Sequence, residues 1–440
     1  MQTDLASIFL LYQQTVTAGL LQFLQKQAGM KVRRGVYTAR VVLWLMILQR
    51  LQSATLAATV QLLIQGAAEP LLQDCRRLQR GRISARTGAY CQARQKLPKL
   101  LCRQVTEEII EQLRQILGRG TQGQRNVFLL DGSSMELEHC RELLSGYPPA
   151  QNQHGKSHWP VLRIVVAHDA DTGMASTPYW GAMYGATAVS EQELAEKAMD
   201  HLPAGATVMG DRNFGVLWVA YAAQQRNLGV VLRLTKVRAC KLVGAVSQAG
   251  EHMVTWRASR WDGGKTHRVA AGSTVTGRLI VARVGRGKSK QWLYLFTTLD
   301  LPAKEILALY ARRWNIETDL RSLKRTVKLH HINAHSDDML EKELLIAMAA
   351  YNFVRAVMCM AARRSGIDPR QLSFTGVLNV VNYAWPKLVN AKSKQAHDEE
   401  FFRVLDLAAQ CTLPKRPKQR RYPRKIWSRP TGFPRRRTKN

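Results

Sequence analysis

The first 120 residues repeat their apolar positions at helical spacing. Leu5, Ile8, Phe9 and Tyr12 form one set, and Leu20, Leu21 and Leu24 another. Gly29 and Gly35 punctuate the pattern. A helix is expected from about residue 37 to 51 and a further one from about 56 to 64. The centre of the former, Val41-Val42-Leu43-Trp44-Leu45-Met46-Ile47-Leu48, is apolar on every side but is bounded by Arg40 and Gln49-Arg50. It is too short to span a bilayer; the buried helix of a bundle explains it better. Residues 83–97 read as a short helix behind a serine cap. It carries Arg86, Gln92, Arg94, Gln95 and Lys96, a pattern that suits either a solvated basic face or a helix that reads DNA.

From about residue 125 the period changes. Strands are expected at 127–131, at 158–168 (with Val161, Ile164, Val165 and Val166) and at 176–184. A helix over 191–202 aligns Leu194, Ala198 and Leu202 on one stripe. A strand at 207–211, a helix at 214–227 and a strand at 229–234 follow. This alternation is that of an α/β protein. Residues 237–300 break it with β-prone pieces: Lys241-Leu242-Val243, Met253-Val254-Thr255-Trp256, Leu279-Ile280-Val281-Ala282 and Trp292-Leu293-Tyr294-Leu295-Phe296. Gly263-Gly264-Lys265 and Arg286-Gly287-Lys288 look like basic hairpin loops between them. We read the stretch as a β-rich insertion. One helix is then expected from about 303 to 325, and a buried one over 339–365. The expected division is 1–120, 121–236, 237–300, 301–385 and 386–440.

Composition adds a partner. The 440 residues hold 65 Lys and Arg against 32 Asp and Glu, a formal charge of +33. Self-repulsion of that size disfavours a compact chain unless a polyanion is its usual partner. Nucleic acid is the natural candidate and an anionic membrane the weaker one. From Leu413 onward no acid appears, while Lys and Arg abound among prolines. Such a tail is expected to be disordered alone and to lie on DNA when bound. Asp4 and Gln13-Gln14 interrupt the N-terminal apolar residues, unlike a signal peptide. Seven scattered cysteines without a C-x2-C pair argue against a zinc finger and fit a reducing cytoplasm.

Candidate chemistry lies in three acids. Asp131 ends the apolar run from Val127 to Leu130, and Asp211 ends that from Ala206 to Gly210. Glu317 stands in Tyr310-x2-Arg313-x3-Glu317-x6-Lys324. On a helix, offsets of 3, 7 and 14 fall within roughly 60° of one another. A phenol, a guanidinium, a carboxylate and an ammonium would then share one face, about 80° from an apolar stripe of Leu309, Ile316, Leu320 and Leu323. Strand-end aspartates with a helical glutamate are a ligand set for hard divalent cations, and the flanking cations suit phosphate. These residues point to a metal-dependent, DNA-directed phosphoryl transferase.

The constellation resembles the DDE transposases of bacterial insertion sequences, in the IS-four-type group marked by a Y-R-E-K signature. All four signature positions match, and Asp211-Arg212-Asn213-Phe214 resembles the segment around that family's second aspartate. The resemblance implies a ribonuclease-H-like catalytic core, interrupted by a β-rich insertion and preceded by an all-α DNA-binding region. It implies that Asp131, Asp211 and Glu317 hold two Mg2+ (or Mn2+) ions, and that Tyr310, Arg313 and Lys324 meet the DNA phosphates. Arg212 and Asn213 would line the site. Arg86, Arg94 and Lys96 would contact the element's terminal repeats. In relatives an aromatic of the insertion can receive a flipped base; Trp256 and Trp261 are the candidates, with Trp292 behind them, although packing in a small β core explains any one of them as well. The implied activity is strand cleavage and transfer at terminal inverted repeats, by a homodimer on double-stranded DNA in the bacterial cytoplasm and nucleoid, without a membrane.

Two rivals stand beside it. One is an inactivated or repurposed relative that only binds DNA; the other is a basic RNA-binding protein, which explains the charge but not the acids. Other polar clusters read as ordinary surface. Glu136, Glu138 and His139 suit a solvated turn, and Asp169 and Asp171 a turn before Gly173. His330, His331, His335, Asp337 and Asp338 lack a regular ligand spacing. Asp319 should project from a different face than Glu317.

Overall fold

The computed structural model describes residues 8–31, 35–72, 75–118, 126–152, 155–245, 248–259, 269–285, 291–327, 329, 332–389 and 393–414. Trp261, His330, His331, both basic hairpin loops and the basic tail beyond residue 414 lie outside them.

Every described element before Val127 is helical. The principal ones are α1 (Ile8–Thr15), α2 (Ala18–Gln27), α3 (Ala39–Leu51), α4 (Leu56–Ile64), α5 (Gly88–Gln95) and α6 (Lys99–Ile116). Threonine oxygens start three of them: Thr17, Thr38 and Thr55 accept the backbone N–H groups of Leu20, Val41 and Ala58. α3 is buried all round from Val41 to Leu48. Helix α5 begins later than the serine suggested. Ser84 instead accepts the N–H of Arg86 at 3.2 Å, a local turn that competes with helix.

A single eight-stranded sheet makes the fold mixed α/β. Its strands are β1 (Val127–Glu136), β2 (Val161–Asp169), β3 (Tyr179–Ala182), β4 (Thr207–Gly210), β5 (Gly229–Arg233), β6 (Gly250–Arg257), β7 (Thr274–Val284) and β8 (Gln291–Thr297). They lie in the order β3-β2-β1-β4-β5-β8-β7-β6. The first three are antiparallel neighbours; β4 then joins β1 in parallel and β5 joins β4 in parallel. Helices α7 (Glu191–Met199) and α8 (Leu217–Gln225) precede β4 and β5. The β-prone stretch does not stand apart, because β8 pairs antiparallel with β5 and extends the same sheet. Lys241-Leu242-Val243 is a correction. It ends helix α9 (Lys236–Val243), started by Thr235, whose side chain accepts the N–H of Arg238. A cap outweighed the weak strand propensity of three residues.

The strand alternation assigns the two faces of β1. Phe128 and Leu130 pack with α7 and α8, whereas Val127 and Leu129 pack with Ile306, Tyr310 and Ile316 of α10 (Ala303–Ala311) and α11 (Asn315–Arg321). A third cluster wraps the N-terminal helices, α13 (Phe374–Val389) and α14 (Lys394–Gln410) around α12 (Asp337–Ser365). α12 is long and apolar enough to cross a membrane, but its apolar window is 94% buried inside the protein. Ser336 caps its start, and Gly366 ends it in the left-handed region at φ 65°.

The helix expected over 303–325 is not continuous. α10 is followed by a 3-10 turn at Arg312–Trp314, then α11, then a π-helical segment at Ser322–Thr326. Winding tightens and then loosens along the run, so angles counted at 100° per residue do not carry through to Lys324. A buried ion cluster fixes the run. Asp319 of α11 meets Arg355 of α12 at 2.5 Å and Arg370 at 2.6 Å. Burial pushes the Asp319 carboxyl up, but Arg370 and Arg355 outweigh it and hold it below its usual range. Asp319→Ala would strand two guanidiniums with little access to water. We expect it to destabilise the protein by about 3–5 kcal/mol, measured by chemical denaturation against wild type.

Candidate active site

Asp131 lies two residues beyond Leu129, where the parallel ladder between β1 and β4 stops, and Asp211 directly follows β4. Asp211 thus stands at the carboxyl end of its strand, and Asp131 stands in the middle of β1, just past the stretch that pairs with β4. Here β1 lies between its antiparallel neighbour β2 and its parallel neighbour β4. Alternation along β1 puts Asp131 on the face of Val127 and Leu129, under α10 and α11.

The electrostatics of Asp131 report its neighbours. Burial lifts its carboxyl to about 6, and the charges of Asp211 and Glu191 push the same way. The backbone N–H of Gly132, donated to Asp131 Oδ1 at 2.8 Å, and the guanidinium of Arg313 pull it back without prevailing. This pocket disfavours an uncompensated negative charge and would be relieved by a cation. Hard carboxylate oxygens are the donors that Mg2+ or Mn2+ takes, and Mg2+ needs only one or two of them besides water and phosphate.

Tyr310 and Arg313 come in from the helical side. The Tyr310 ring is buried at 7% exposure, and burial raises its hydroxyl above the ordinary phenol range against the pull of Arg313 and Arg233. The Arg313 guanidinium lies 6.0 Å from the Tyr310 ring centre and 5.4 Å from that of Trp314. Glu317 is exposed on α11, which packs against β1. Its charge is not one of the main ones acting on Asp131. Among the described residues no three His, Cys, Asp or Glu side chains are close enough together to hold a metal ion. The structure thus brings Asp131, Asp211, Arg313 and Tyr310 together and leaves the glutamate outside a closed ligand set. Lys324 is half-buried in the π-helical segment.

The other sequence candidates divide. Arg212 is exposed, and its carbonyl accepts a hydrogen bond from Arg238 at 2.9 Å. Asn213 donates its N–H to Asp211 Oδ1 at 2.8 Å and so fixes the turn after β4. Arg86 and Lys96 are exposed at the two ends of α5. Arg94 is a correction. It is 8% exposed and shares the Glu343 carboxylate with Arg50, so it joins α5 to α12 and α3 and does not face solvent. A guanidinium on a short helix can serve as a core ion pair when a distant acid is brought to it, and Glu343 lies far along the chain. Trp256 is half-buried and meets Phe296 edge to face at 5.2 Å, packed in the sheet core. Trp292 is half-buried beneath Arg283 at 5.2 Å. His139 stacks on His158 at 3.9 Å, and Asp169 accepts the N–H groups of Asp171 and Thr172 within a turn.

Sequence reading passed over three residues. Arg233 ends β5 beside Tyr310, Trp314 is 65% exposed beside Arg313, and Glu191 opens α7 close to Asp131. Arg233 is the last residue of a strand, Trp314 follows a signature residue and Glu191 follows a helix cap, which was the available signal.

Comparison with known proteins decides the family. The family model described as "Transposase DDE domain" matches residues 122–353, more than half of the chain. The chain belongs to the DDE transposase family. All three signature acids fall inside the matched span. Transposase InsG for insertion sequence element IS4, from Escherichia coli (strain K12), is 26% identical over 322 residues, which are 69% of this chain and 68% of that protein. Among solved structures, a cryo-EM structure of the piggyBac transposase synaptic complex with hairpin DNA matches at a TM-score of 0.43 and 10% identity, over 95% of this chain and 88% of that one.

Asp131 makes a stability prediction. Its folded value of about 6 exceeds the ordinary 3.8, so the folded state holds the proton more tightly between those values. Above pH 6 the ionised group opposes folding; below pH 3.8 that cost is absent. Metal-free Asp131→Asn should therefore be more stable than wild type at pH 7.5 by up to ~3 kcal/mol. The gap should close as pH falls toward 4, as read from denaturant melts in a chelating buffer.

Proposed function

We propose that this transposase binds the terminal inverted repeats of its insertion sequence and cleaves and transfers DNA strands with divalent metal. The observation that carries the reading is the proximity of Asp131 and Asp211, just past the parallel pairing of β1 with β4, with one carboxyl lifted to about 6 and Arg313 beside it. Asp131 and Asp211 would hold Mg2+ or Mn2+, with Glu317 completing the set from α11 and two ions as the full complement. Bound there, the metal would activate a water or hydroxyl and stabilise the leaving oxygen. The chain's own part is positional. Arg313 grips a phosphate from the Tyr310 side, Lys324 adds a point charge, and Arg212 and Asn213 line the edge after β4. Relatives of this family cut the second strand through a hairpin.

The strand order β3-β2-β1-β4-β5 supports reading the core as ribonuclease-H-like, with β6 to β8 as the β-rich addition. The helices before Val127 would be the DNA-binding region, with Arg86 and Lys96 exposed for phosphate contact. A charge of +33 supports double-stranded DNA as the partner. A homodimer pairing two element ends, at work in the bacterial cytoplasm and nucleoid, completes the reading.

A second reading is a relative that binds DNA without cutting it. The exposure of Glu317, outside a closed set of acids, favours it. One experiment separates the two. Purified full-length protein is incubated with a supercoiled plasmid bearing the DNA that flanks its own reading frame, with and without Mg2+. Nicking that requires Mg2+, and that falls to background in Glu317→Gln while DNA binding stays within about threefold, supports the transposase reading. Binding with no nicking under either condition supports the other.

A further inference from the structure

Glu191 is the first residue of α7, directly after Ser190, whose side chain caps that helix. Its carboxylate reaches back to β1. Alternation turns Gly132 toward α7 while Asp131 faces α10 and α11, so the two neighbours look to opposite sides of the sheet. A Cβ on Gly132 would lie 2.5 Å from Cδ of Glu191 and 2.8 Å from its Cγ and Oε1. The glutamate thus rests on the bare back of the residue beside Asp131. Its Oε2 accepts a hydrogen bond from Nδ2 of Asn213. Gln192, the next residue of α7, donates to the carbonyl and side-chain oxygens of Asn213 at 2.8 and 2.9 Å. Asn213 in turn donates its N–H to Asp211 Oδ1 at 2.8 Å.

We propose that Glu191 is a positioning residue of the active centre, a clamp behind the sheet that fixes the Asp211 turn against the β1 segment carrying Asp131. The proposal rests on the reading of that aspartate pair as the cation-holding centre. It accounts for three features at once: the missing side chain at Gly132, the double hold of α7 on Asn213, and an acid that stands close to Asp131 yet on the opposite face of the strand. Glu191 acts through Asn213 as a hydrogen-bond acceptor, so its charge is secondary to its oxygen. Outer partners of this kind set the spacing of metal-binding groups, and their loss lowers metal affinity by roughly 10- to 100-fold.

The test measures Mn2+ binding by calorimetry on the full chain, beside Mg2+-dependent nicking of the plasmid described above. Glu191→Ala should weaken Mn2+ binding by about tenfold or more and slow nicking, with DNA affinity unchanged. Glu191→Gln keeps an acceptor oxygen and should stay within about threefold of wild type. Asn213→Ala should match Glu191→Ala, and the double variant should be no worse than either alone. Gly132→Ala leaves the glutamate in place but takes its seat, and should behave as Glu191→Ala does. Asn213 is exposed, so its variant carries the test if Glu191→Ala fails to fold. Wild-type Mn2+ affinity in Glu191→Ala, equal losses in the Gln and Ala variants, or additive losses in the double variant would overturn the proposal. Asp131→Asn is the separate control. If it binds Mn2+ and nicks as wild type does, the centre itself has been misread; if it fails while Glu191→Ala is normal, only the clamp is wrong.

Discussion

The parallel pairing of β1 with β4 is the constraint on which the site depends. Val127 to Leu129 lie against Thr207 to Met209 in register, and both strands are buried on both faces. Just beyond that ladder each segment carries an aspartate, and the charge of Asp211 acts on Asp131. A buried carboxyl beside a second acid, under helices, would not be retained for stability. The raised value of Asp131 expresses that cost, and a bound cation is the simplest way to offset it. The span matched by the family model covers both strands and both aspartates.

Around this pair the protein builds an unequal frame. On one face, α10 and α11 are bound to the sheet by Ile306, Tyr310 and Ile316, and α11 is tied to α12 by the buried cluster of Asp319, Arg355 and Arg370. Replacing such a cluster by apolar groups of similar volume often costs nothing, so its worth lies more in fixing geometry than in net stability. It specifies the rotation of α11 and hence the direction of Glu317. Asp319 turns inward to its arginines, and Glu317, two residues earlier on the same helix, is left exposed. The 3-10 turn before α11 and the π-helical segment after it confine the irregular backbone to the positions that carry Arg313 and Lys324.

Much of this frame was legible in the sequence. The apolar run from Val41 to Leu48 read as a buried helix, and so it is; α4 matches its expected span, and the order of strands and helices from Val127 to Arg233 follows the change in hydrophobic period. Local physics sufficed there, because burial on one face or on all faces leaves a periodic mark. What escaped is non-local. That β8 would pair with β5 and merge the β-rich stretch into the main sheet is written in no segment of its own. Arg94 looked like a basic surface residue because Glu343, its partner, stands in α12. The breaks in the signature helix left no proline or glycine to announce them.

The same distinction explains the candidate site. Asp131 and Asp211 were visible because each ends an apolar run, a local sign of a strand whose next residue meets solvent or substrate. Glu191 was invisible because its role depends on an absence, the missing side chain at Gly132, and absence at one position gains meaning only when the fold sets another residue against it. A glycine directly after an acid that ends a strand usually reads as a turn or an interruption. Here it lies mid-strand, paired with Val165 across the ladder, where glycine weakens a sheet and a larger residue would strengthen it. Such a costly placement needs a close approach to account for it, and the carboxylate of Glu191 occupies the space that the side chain would have taken.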